Sequence, residues 1–74
     1  MMNKDIKNDI IALVQESCLE GSISRTIADI YVRFVRSADL NNDEQVQLLK
    51  NMVRAISKEK GLHIINSLNL IEFI

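Results

Sequence analysis

Three stretches of this chain repeat apolar residues at steps of three and four, the spacing of one face of an α-helix, and the few residues able to stop a helix lie between them. The first stripe is Ile6, Ile10, Leu13, Val14, Ser17 and Cys18, on a helix expected over about residues 4–20 with Gly21 as its stop. Asp5, Asp9, Glu16 and Glu20 fall on another face of that helix, and the early carboxylates suit the positive end of its dipole. A second helix is expected over 23–38, capped by Ser22 or Ser24, either of which can accept from an unpaired first-turn N–H. Its apolar stripe reads Ile27, Ile30, Tyr31, Phe34, Val35 and Ala38. Opposite run Arg25, Asp29, Arg33 and Arg36, whose four-residue steps predict two ion pairs of about 0.2–0.5 kcal/mol each.

The polar run Asp39-Leu40-Asn41-Asn42-Asp43-Glu44 supplies turn and N-cap side chains, with Asn41 and Glu44, or Asn42 and Gln45, at capping-box spacing. The third helix is expected over 42–60, with Val46, Leu49, Met52, Val53 and Ile56 facing the core and Gly61 ending it. Lys50, Arg54 and Lys58 form a basic stripe along it. After Gly61, Ile64, Ile65, Leu68 and Ile71 keep helical spacing, whereas Leu68, Leu70 and Phe73 also suit an extended run. A short helix over 62–72 is the expectation. The fold class is therefore all-α: a small bundle of a three-helix core plus a short C-terminal helix, spanning residues 1–74 as one domain.

Composition changes this picture in one respect. At 74 residues, 47% of them apolar, a domain buries only roughly 60% of its unfolded surface, so its stability margin is thin. The single cysteine, Cys18, cannot form an intrachain disulfide, and no ligand cluster for a structural metal is present. A homodimer is the expected remedy, with a seam at Leu70, Ile71, Phe73 and Ile74, which are too apolar to stay in water. The longest unbroken apolar run, Ile10 to Val14, is far short of a membrane span or signal-peptide core, and a lone thiol fits a reducing compartment. A cytoplasmic location is expected.

The formal charge is −1, from nine basic and ten acidic side chains, so no overall field draws the chain to nucleic acid or an anionic membrane. The distribution is uneven: residues 1–20 are acidic by two charges and residues 21–60 basic by two. The acidic face of the first helix and the basic stripes of the second and third are thus complementary to each other and to outside partners.

Candidate chemistry narrows further. Asp39, Asn41 and Asp43 match the first, third and fifth positions of a calcium loop, but Glu44 stands where the loop needs glycine and Lys50 where it needs a bidentate acid. One histidine, His63, and Cys18 lie in separate segments and bring no base to a nucleophile, so no catalytic residue, cofactor, metal or small-molecule substrate is expected. Two isolated glycines make no phosphate loop, and Tyr31 and Phe34 fall on the core stripe rather than on a stacking platform for single strands. Duplex DNA is the stronger nucleic-acid candidate. Gly21-Ser22-Ile23-Ser24-Arg25-Thr26 leads into a helix as a turn leads into a recognition helix, with Ser24, Arg25 and Thr26 placed to contact it.

In its helix, serine, helix, polar turn, helix layout, the stretch from about Asp9 to Ile56 resembles the small helical enterobacterial proteins of the biofilm-development connector family. The resemblance rests on length and spacing, including Ser24-Arg25 and Glu44-Gln45. It implies action by binding other regulators and carries over no functional residue. The expected function is protein–protein interaction, as a regulator, inhibitor or adaptor. Arg25, Arg33, Arg36, Lys50, Arg54 and Lys58 would engage an acidic surface, or Asp5, Asp9, Glu16 and Glu20 a basic one.

Overall fold

The computed structural model describes the backbone of residues 2–72 and the side chains of residues 6–69. Four helices follow one another: α1 (Met2–Leu19), α2 (Arg25–Ser37), α3 (Asp43–Ile56) and α4 (Lys58–Glu72), with no strand among the described residues. The all-α expectation holds, and among the described residues no helix is long and apolar enough to cross a membrane.

α1 is the spine, in contact with each of the other three helices. Its predicted stripe is the buried one: Ile6, Ile10, Leu13, Val14 and Ser17 are buried and Cys18 is partly so. Gly21 stops it through a Schellman motif, in which Gly21 N–H donates to the Cys18 carbonyl at 3.0 Å and Ser22 N–H to the Ser17 carbonyl at 2.9 Å. The motif needs a left-handed residue, and Gly21 has φ +84°. No atom lies within 4 Å of a Cβ built there, so substitution meets backbone strain alone. Gly21→Ala is expected to cost about 1 kcal/mol, and Gly21→Asn less, because asparagine tolerates this conformation. Chemical unfolding of the two variants checks that order.

α2 begins at Ser24, whose hydroxyl accepts from Ile27 N–H at 3.2 Å. Its far end is tied to α1, where the Lys7 ammonium donates to the Arg36 carbonyl at 3.2 Å. α3 begins at Asn42, whose side-chain oxygen accepts from the N–H groups of Glu44 and Gln45. Gln45 does not close the expected capping box; its carbonyl reaches further back and accepts from Asp39 N–H. Asp39 in turn accepts from Asn41 N–H at 2.9 Å, so this polar run is occupied with holding its own turn.

The third helix ends earlier than expected. The break falls at Ser57, in extended conformation with φ −158° and ψ 118°, and its hydroxyl accepts from Lys60 N–H to start α4. Gly61 is therefore no stop. It is buried inside α4, where a Cβ would lie 2.5 Å from Val53 Cγ1 and 3.0 Å from the Val53 carbonyl oxygen. Glycine here lets two helices meet at a tight corner. α4 then presents Ile64, Ile65 and Leu68 to the core, so helical spacing wins over the extended alternative. Leu70 and Ile71 belong to α4 by backbone, but their side chains, and Phe73 and Ile74 entirely, lie outside the described residues.

The core formed by these elements has Ile10, Val14, Val35, Val46, Leu49, Val53 and Leu68 fully enclosed. α3 contributes its predicted residues, with Ile56 at the margin. α2 contributes part of its predicted stripe: Val35 and Ala38 are buried and Tyr31 and Phe34 pack partly buried against the core, while Ile27 is 39% and Ile30 54% exposed and Ala28 is buried in their stead. The buried face is thus shifted toward Ala28 and Val32, and Ile27 and Ile30 at the edge of the stripe are left uncovered.

Candidate interaction surface

The same shift that uncovers the isoleucines brings the basic face of α2 against the C-terminal half of α1. Arg25, Asp29, Arg33 and Arg36 line one side of an open groove of about 590 Å³, together with Ala28 and Val32. Gln15, Cys18 and Leu19 of α1 line the other. Sequence reasoning placed the three arginines on one face. It missed Leu19, which is 88% exposed, and the contribution of Gln15 and Cys18. The signal for Leu19 was present: it is an apolar residue off the α1 stripe, beside Glu20 and the Gly21 stop.

The expected Arg25–Asp29 and Asp29–Arg33 ion pairs do not form, and none of the three guanidiniums has an ion-pair partner among the described residues. Three arginines face one aspartate, so the groove carries two uncompensated positive charges. Guanidinium groups in this state are ready to take carboxylates or phosphates in two-point hydrogen bonds.

The other basic stripe is dispersed by the fold. Lys50 is only 6% exposed, its long stem enclosed within α3's buried side, and it does not belong to an accessible surface. Arg54 is exposed on α3, but Lys58 lies beyond the Ser57 break on α4, so the helix that was to align all three does not exist.

The acidic face of α1 is partly consumed internally. Lys60 of α4 pairs with Glu16 at 3.8 Å and with Glu20 at 3.4 Å. These pairs are more than half exposed and stabilise little, yet they hold both carboxylates toward the chain's own cation. Asp9 is exposed beside a shallow hollow shared with Lys60 and His63. The side chain of Asp5 lies outside the described residues.

At the proposed DNA contact, Arg25 and Thr26 are exposed in the first turn of α2, whereas the Ser24 oxygen is engaged as the cap. No group of three or more histidine, cysteine, aspartate or glutamate side chains placed to hold a metal occurs among the described residues. Comparison with protein-family models, curated proteins and solved structures gives no match.

Proposed function

We propose that this chain is a protein–protein interaction module, a small regulator, inhibitor or adaptor that acts by occupying a partner's surface through the basic face of α2. The observation that carries this role is the gathering of Arg25, Arg33 and Arg36, all without ion-pair partners among the described residues, along a groove that also offers apolar surface. Apolar contacts supply most of the affinity of such an interface, and charge sets orientation and on-rate. The opposite polarity, with α1 engaging a basic partner, is weaker because Glu16 and Glu20 already face Lys60. Of the expected basic residues, Arg54 and Lys58 fall outside this groove and Lys50 is enclosed. The lone Cys18 thiol supports a cytoplasmic setting.

A DNA-binding regulator reading bases with α2 is the competing role, favoured by the exposure of Arg25 and Thr26 in its first turn. Capture of tagged protein from native cytoplasm, split into nuclease-treated and untreated halves, separates the two. A protein partner retained after nuclease treatment supports the interaction module. Recovery of DNA and its associated proteins from the untreated half alone supports the competitor.

We further propose that the chain is a homodimer. Its small core and the apolar segment from Leu70 to Ile74 support this. Replacing Leu70 and Phe73 with lysine is expected to give a monomer by light scattering. A dimer that survives this change and dissociates on Ile30→Lys would move the seam to the uncovered strip of α2.

A further inference from the structure

The groove between α1 and α2 constrains what can occupy it. Its two walls are helices, and no strand edge is available among the described residues, so an extended peptide has no backbone ladder to join. A third helix laid along α2, with its apolar side toward the last turn of α1, is a geometry that a helix-walled cleft accepts. Arg25, Arg33 and Arg36 extend along α2 for about 16 Å, from the 1.5 Å rise per residue. A partner helix presenting carboxylates over three turns matches that length. Between and beside the guanidiniums lie Val32, Cys18 and the exposed Leu19, which require an apolar stripe on the ligand.

Two other occupants fit less well. A nucleic-acid backbone would meet Asp29 and this apolar lining, and the groove contains no aromatic side chain on which a base could stack. A second copy of the chain would bring α1 as its most acidic face, where the Lys60 ammonium already lies 3.8 Å from Glu16 and 3.4 Å from Glu20 and offsets part of the charge. We propose that the groove binds an acidic amphipathic helix of a partner protein, its carboxylates on Arg25, Arg33 and Arg36 and its apolar residues on Leu19, Val32 and Cys18. This rests on the interaction role given above and specifies its ligand.

Cys18 makes the test direct, because it is the only thiol in the chain and it lines the groove. The probe is a synthetic peptide of leucine and glutamate, about 18 residues so that it can span the groove as a helix when bound, with leucines at steps of three and four. A scrambled peptide of the same composition is the control. Binding to the full chain is followed by fluorescence anisotropy, and occupancy by the rate at which Cys18 reacts with a maleimide. The patterned peptide is expected to bind and to slow the thiol reaction about tenfold, since a covered thiol reacts only when the complex opens. The double variant Arg33→Glu, Arg36→Glu should weaken binding about tenfold or more, as should Leu19→Asp, with helical circular dichroism unchanged. Absence of binding, equal binding of the scrambled peptide, or an unprotected Cys18 overturns the helix ligand. If the peptide fails while reversal of Arg33 and Arg36 still abolishes capture of the cytoplasmic partner, the ligand class is wrong and the basic face stands. If reversal leaves capture intact as well, both are wrong.

Discussion

Gly61→Ala is expected to destabilise the chain by about 1–3 kcal/mol, although alanine in a helix interior ordinarily gains about 1 kcal/mol over glycine. The reason is the corner between α3 and α4. The new Cβ would stand 2.5 Å from Cγ1 of Val53, a stiff and fully enclosed side chain, and 3.0 Å from the Val53 carbonyl oxygen, which belongs to the last full turn of α3. α4 must move away, and the buried contacts of Ile64, Ile65 and Leu68 loosen with it. For a domain whose whole stability is on the order of 5 kcal/mol, such a loss removes much of the margin. Gly61→Asn sharpens the test. Were Gly61 a left-handed helix stop, asparagine would be the mildest replacement; in a packed helix interior it is worse than alanine, being larger and polar. Urea unfolding that ranks wild type above alanine above asparagine supports the corner. An alanine variant as stable as wild type contradicts it.

The second large effect concerns binding. Reversing Arg33 and Arg36 together changes the groove from two uncompensated positive charges to two negative ones, because Arg25 and Asp29 remain. Attraction for an acidic partner becomes repulsion, and the expected loss is about 2–4 kcal/mol, roughly 30-fold to 1000-fold in Kd. Neither side chain is buried or paired among the described residues, so the circular dichroism spectrum and unfolding midpoint should stay near those of wild type. Salt should weaken wild-type binding and, by screening the repulsion, strengthen that of the variant. Isothermal titration with the captured partner at two ionic strengths measures both effects.

How much of this was legible in the sequence depended on which signals stood alone. The apolar faces of α1 and α3 were readable because each has one apolar stripe, although the enclosure of Lys50 beside Leu49 and Val53 was not. The caps were readable to within a choice of two, Ser22 or Ser24 and Asn41 or Asn42, since a hydroxyl or amide before a helical run has one common use; the structure uses Ser24 and Asn42. Gly61 was misread because glycine signals both a stop and a close approach, and only the position of Val53 in space decides between them. Ser57 lacked the acidic or amide residue three places on that completes a capping box, so its role passed unseen. For α2, the stripe was right at Tyr31, Phe34, Val35 and Ala38, but Ala28 and Val32 face inward beside them and Ile27 and Ile30 lie outside, because a short alanine carries little weight in an apolar pattern. The arginine face was readable from spacing. Its partnering with Leu19, Cys18 and Gln15 was not, because α1 and α2 meet there only once the chain turns at Gly21.

The central claim is that the α1–α2 groove is where this chain meets another protein. Photo-crosslinking in living cells tests it most directly, with a photoreactive amino acid placed singly at Val32, within the groove, and at Ala55, exposed on α3 outside it. The expected result is a discrete adduct from position 32, heavier than the chain by one protein partner and resistant to nuclease, and no such adduct from position 55. Adducts from position 55 alone, or adducts from position 32 that disappear with nuclease, would contradict it.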